Sequence, residues 1–134
     1  MIGPDQCGIL VAWNGQSCDM EWIYRLTQSP NSSLNMPPKI KYFIDPMKVI
    51  KHYKSCKLNS KHSKLETLSL SSVWKFINGR ILYGAHNSLV DAKTQTDVVI
   101  HPYFIGYLNK TNSIQSVNDI FQKKTQNRVH QLKE

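Results

Sequence analysis

The sequence predicts an α/β fold, a mixed sheet flanked by helices, on three observations. A short continuous apolar run, Gly8-Ile-Leu-Val-Ala-Trp-Asn14, reads as a buried strand. From Asp19 the apolar residues recur at spacings of three and four, which is a helical period. Ile40-Lys-Tyr-Phe-Ile44 then returns to alternation, so strand, helix and strand follow one another as they do in α/β units.

Asn14-Gly15 closes the first strand with a turn. Met20, Ile23 and Tyr24, with Trp22 and Leu26, make the apolar side of a helix that ends before Gln28-Ser-Pro30. Residues 28–38, rich in Ser, Asn and Pro, are a loop. After the second strand, Asp45-Pro46 supplies an N-cap with proline at the first helical position, and Met47, Ile50 and Tyr53 mark one side of a short helix. The stretch from Lys54 to Lys64 is a basic linker without periodicity. Leu70, Val73, Trp74 and Ile77 mark a further helix, stopped by Asn78-Gly79. Ala85 to Ile100 is the last strong helix, broken or kinked by His101-Pro102, because proline cannot continue the ladder. Beyond Asn109 the chain is polar, and Gln122–Glu134 is expected as a solvated basic extension. The expected division is thus a folded body over residues 1–118 and a basic polar tail over 119–134.

The 134 residues, 40% of them apolar, are one domain's worth of chain and lie outside the ranges of disordered or collagen-like sequences. The longest apolar run, Ile9 to Trp13, is far short of the ~20 residues that span a bilayer, and no basic segment precedes an apolar one at the N-terminus. Neither membrane insertion nor secretion is expected. Three cysteines, an odd number without a CxxC pair, speak against a disulfide framework or a zinc ribbon and for a reducing, intracellular setting. Seventeen Lys and Arg against nine Asp and Glu give a net charge of +8, which favours a polyanionic partner through counterion release.

Two segments carry residues suited to chemistry: Leu10-Val-Ala-Trp-Asn-Gly-Gln-Ser-Cys-Asp19 and Ala85-His-Asn-Ser-Leu-Val-Asp-Ala92. On these residues the chain resembles the DnaQ-like, or DEDDh, family of 3′–5′ exonucleases, whose ribonuclease H-like domain carries three motifs. Asn14 and Asp19 match the second, an apolar strand ending in Asn followed by an Asp that opens a helix. His86, Asp91 and Ala92 match the third, and Leu89 occupies its apolar position. Ile44-Asp45 with its helix and Leu68 to Gly79 match the connecting strand and helix, so the resemblance covers about residues 8 to 108.

The resemblance implies an incomplete ribonuclease H-like fold and metal-dependent phosphodiester hydrolysis on single-stranded DNA or RNA. Such hydrolysis uses carboxylates that hold two divalent cations about 3.5–4 Å apart. Asp19 and Asp91 would be ligands for magnesium or manganese, and His86 would take the proton of the attacking water. Asn14 and the lysines Lys54, Lys57, Lys61 and Lys64 are expected to lie along the nucleic acid. Five residues advance a helix by about 500°, so His86 and Asp91 on one helix would point about 140° apart. The spacing therefore places His86 on the loop entering the helix and Asp91 within its first turns.

The family's first motif, an Asp-x-Glu on the opening strand, has no counterpart here: before Gly8 only Asp5 is acidic. Asp19-Met-Glu21 spells those letters on a helix, where i and i+2 point about 200° apart instead of sharing a face as on a strand. The expectation is the C-terminal part of an exonuclease domain with the opening strands missing, inactive or nearly so unless a further segment or partner chain completes it. The alternative is a catalytically dead, transposon-derived ribonuclease H-like module for nucleic-acid binding or interaction.

Overall fold

Strand β1 (Gly8–Val11) lies parallel to β2 (Ile40–Ile44), with α1 (Asp19–Gln28) in the connection between them. A parallel pair needs such a crossover, because a tight turn can join only antiparallel neighbours. The computed structural model describes residues 2–52, 65, 67–108 and 113–133. After β2 come α2 (Pro46–His52), α3 (Leu70–Asn78), α4 (Ser88–Val99), α5 (Pro102–Leu108), β3 (Gln115–Ser116) and α6 (Val117–Lys133). The fold is α/β, with a small mixed sheet of order β1-β2-β3. The chain forms two compact units, residues 1–44 with 114–134 and residues 45–113.

In the first unit Leu10 pairs with Phe43 and Val11 with Ile44, while β3 runs antiparallel to β2, Phe43 opposite Gln115 and Tyr42 opposite Ser116. Phe43 is fully buried among Met20 and Tyr24 of α1 and Val117, Ile120 and Phe121 of α6. The Tyr24 and Phe121 rings meet edge to face with centroids 5.5 Å apart. Tyr24 Oη and Thr125 Oγ1 share a hydrogen bond of 2.8 Å at the margin of this core.

Three expectations change here. The first strand ends at Val11, and Ile9 is 44% exposed. Its place at an edge of the described sheet leaves part of it open, so its apolar run is not a fully buried one. Trp22 and Leu26, read as part of the apolar side of α1, are exposed, because Met20 and Tyr24 already fill the face that meets Phe43. The division expected at residue 118 falls inside α6, and the extension expected from Gln122 is solvated but helical. Only Val117, Ile120 and Phe121 carry the helical period, a stripe one turn long ahead of a polar segment.

The second unit is helical. Asp45 Oδ1 accepts the Met47 N–H at 3.2 Å and caps α2, which buries Pro46, Val49 and Ile50. Met47 is only half buried, and Tyr53 lies outside the described residues. Ser69 caps α3 by accepting the Ser72 N–H, and Gly79, left-handed at φ 70°, ends it with its N–H on Lys75 O. Helix α4 adjoins α3 and α5, and α5 adjoins α2. Pro46 and Ile50 of α2, with Val73, Val98 and Phe104, are fully buried in these helices, and the buried Thr94 hydroxyl donates to Val90 O at 2.6 Å. Helix α4 begins at Ser88 instead of Ala85, and a bend at His101 separates it from α5, which opens on Pro102.

Candidate functional site

Among the described residues only two that are not glycine have positive φ: Asn14 at 54° and His86 at 70°. Both are residues singled out by their motifs. Each is the third residue of a four-residue turn, Ala12–Gly15 closed by Gly15 N–H to Ala12 O at 2.9 Å, and Gly84–Asn87 closed by Asn87 N–H to Gly84 O at 3.1 Å. A left-handed backbone crowds Cβ against the carbonyl and costs an L-residue roughly 1–2 kcal/mol, less for Asn, whose short polar side chain tolerates it. Such strain collects at functional positions, where the surrounding structure holds it in place.

The first turn leads into α1. A Cβ built on Gly15 would lie 2.3 Å from that of Ala12, so the turn closes only on glycine, and Met20 N–H then donates to Gly15 O at 2.8 Å. Asp19 is the first residue of α1 and is exposed, while Cys18 before it makes no side-chain cap bond. Asp19 thus places an acidic group at the positive end of the helix. Glu21 is differently occupied. Its Oε2 accepts from Lys124 Nζ at 2.6 Å, and its Oε1 from Arg25 Nε and Arg128 Nη2, both at 3.0 Å. The hydrogen bonds from Lys124 and then Arg25, against a smaller opposing effect of burial, hold its carboxyl down from the usual 4.5 to about 2. Glu21 ties α1 to α6 and is no ligand in waiting.

The second turn leads into α4. Gly84, at φ 80°, sits so close to Val90 that a Cβ would approach its Cγ2 to 3.3 Å, which lays the loop on the first turn of the helix. Asn87 caps α4, its Oδ1 accepting the Leu89 and Val90 N–H groups at 3.1 and 3.3 Å. As their spacing predicts, His86 lies on the loop and Asp91 in the first turn. Asp91 Oδ1 accepts the His86 backbone N–H at 3.2 Å. One carboxylate oxygen therefore pins the strained histidine, and Oδ2 is the atom left to meet a cation. His86 itself is exposed. The arrangement offers an imidazole and a carboxylate within five residues, suited to accepting a proton from water and to binding one face of a cation.

Asp19 belongs to the first unit and His86 and Asp91 to the second. Among the described residues no group of three His, Cys, Asp or Glu side chains gathers where a metal ion could be held. The described residues therefore do not by themselves supply a two-cation centre. Lys54, Lys57, Lys61 and Lys64 lie outside the described residues. Sequence reasoning does not single out Tyr83, which stands 85% exposed one residue before the second turn, and Leu89, read only as a motif position, is 79% exposed. No local signal marks exposure of this kind, since apolar letters read as core. The first unit also holds a groove of about 700 Å³ between β2 and α6, lined by Met36, Tyr42, Phe121 and Gln122 among others, and none of the motif residues borders it. No helix among the described residues is long and apolar enough to cross a membrane. No protein-family model, no curated protein and no solved structure matches the chain.

Proposed function

We propose that this chain binds single-stranded DNA or RNA and carries part of a DnaQ-like 3′–5′ exonuclease centre on a ribonuclease H-like fold, with His86 as the base and Asp91 as a cation ligand. The observation that carries the reading is His86, held left-handed in its turn with the Asp91 carboxylate on its backbone N–H. Charge supports it: residues 45–113 contain ten of the seventeen Lys and Arg but four of the nine Asp and Glu, a net +6 against +2 for the rest of the chain. The unit that bears the strained histidine is thus the one a polyanion would approach. Cleavage requires the Asp-x-Glu carboxylates, which the described residues do not supply, so the chain alone holds a strand without cutting it.

Titration of a fluorescent single-stranded oligonucleotide with the purified chain at 50 and 200 mM salt tests this. Single strands give a slope of about −0.7 in log K against log salt per phosphate contacted, so four or five contacts weaken binding roughly 50- to 130-fold over that range. No binding at 50 mM, or binding indifferent to salt, overturns the proposal. Changing Lys54, Lys57, Lys61 and Lys64 together to Gln flattens the slope if those lysines lie along the strand. Strong magnesium-dependent digestion by the chain, abolished by Asp91→Ala, would show instead that it completes its own centre.

A further inference from the structure

Resting on that reading, we infer that Tyr83 is a stacking platform for an unpaired base of the bound strand, with Leu89 on the other side of the turn. Tyr83 and Leu89 lie on either side of the Gly84–Asn87 turn that carries His86, and the two residues are 85% and 79% exposed. Ile81, on the same loop, is 61% exposed. Single exposed apolar residues are ordinary, but three of them fall within nine residues around one strained turn. Burial gives Tyr83 no part in the fold. The turn gives it a fixed place, because Gly84 is seated on Val90 of α4 and Asn87 caps that helix.

The occupant follows from chemistry. A flat apolar ring open to solvent, within a unit of net charge +6, matches a ligand that is anionic along its backbone and presents flat, weakly solvated faces, which describes a single-stranded nucleic acid. Lysines and arginines neutralise the phosphates and set the salt dependence, whereas an aromatic ring contributes an attraction that salt leaves nearly untouched. A double strand keeps its bases stacked on each other and has no face to offer. Tyr83 would thereby select unpaired nucleotides and bring the strand to the His86 rim.

The test compares wild type, Tyr83→Ala and Tyr83→Trp on a single-stranded oligonucleotide, on its fully base-paired duplex and on an abasic strand of equal length. Stacking of one base accounts for about a 5- to 150-fold change in affinity, so Tyr83→Ala should weaken single-strand binding by that factor with an unchanged salt slope, and Tyr83→Trp should restore it. The abasic strand should bind both wild type and Tyr83→Ala equally. Salt-dependent binding that Tyr83→Ala leaves unaltered overturns the inference and spares the proposed function. Equal loss on the abasic strand overturns it too, since the ring would then act without a base. Absence of single-strand binding by wild type overturns both. Unchanged nucleic-acid binding with a concentration-dependent self-association removed by Tyr83→Ala would mark the patch as a protein contact and likewise reject the inference. Thermal unfolding of each variant checks that an exposed position has left the fold intact.

Discussion

In the first unit Lys124, Arg25 and Arg128 converge on one carboxylate, Glu21, and the Arg128 guanidinium also lies 4.5 Å from the centre of the Tyr24 ring. In the second, ten Lys and Arg face four carboxylates along the sequence, and Asp91, beside the histidine, bonds to backbone instead of to a cation. The cations gathered on Glu21 hold α1 to α6. The first unit buries Phe43 on a sheet, whereas around the turn before α4 the second presents Ile81, Tyr83 and Leu89 to solvent. Equal-looking lysines and aromatics thus serve stability in the first unit, and under the proposed function they serve recognition in the second.

Four substitutions sharpen or break that contrast. The largest effect is expected at Phe43, fully buried between α1 and α6: Phe43→Ala should cost about 3–5 kcal/mol in urea unfolding, as a large-to-small change in a packed core does. A loss under 1 kcal/mol would mean the first unit is not organised around that core. Glu21→Gln comes next, at about 1–2 kcal/mol at neutral pH once partial exposure of the cluster is allowed for. Because its folded carboxyl titrates near 2 and not at the usual 4.5, the stabilisation is present above pH 4.5 and is lost as pH falls from there toward 2. The variant should therefore show a flatter unfolding midpoint between pH 5 and pH 3 than wild type, and parallel curves would mark the cluster as surface ornament.

Arg128→Gln removes one arm of that cluster and a ring contact, for about 0.5–1 kcal/mol, and should leave oligonucleotide affinity unchanged. A fall in affinity as large as that from changing the lysines of residues 54–64 would erase the distinction between the units. The smallest effect is at His86. His86→Gly relieves the left-handed strain and should unfold at higher urea than His86→Ala by roughly 0.5–1 kcal/mol, although glycine is the worse residue in most other settings. The opposite order would show that the turn is unstrained and would remove the chief support for a functional His86.

Local chemistry is legible in the order of residues. Asp45-Pro46 opens α2, Asn78-Gly79 ends α3, His101-Pro102 separates α4 from α5, and the five-residue spacing of His86 and Asp91 already places one on a loop and the other in a helix. These features depend on caps, proline geometry and the helical period, all of which act within a few residues. What depends on partners distant in sequence is not legible there. Helix α6 is invisible as a packed element because three apolar residues in a polar segment gain meaning only when Met20, Tyr24 and Phe43 are beside them. Glu21 reads as a spare carboxylate until Lys124 and Arg128, more than a hundred residues on, are brought to it. Trp22, Leu26 and Tyr83 carry the same apolar letters as core residues, and their exposure is settled by which face of each element finds a neighbour. Burial and charge pairing are properties of the packed chain, since both are set by what the fold brings within a few ångströms and not by what precedes or follows along the sequence.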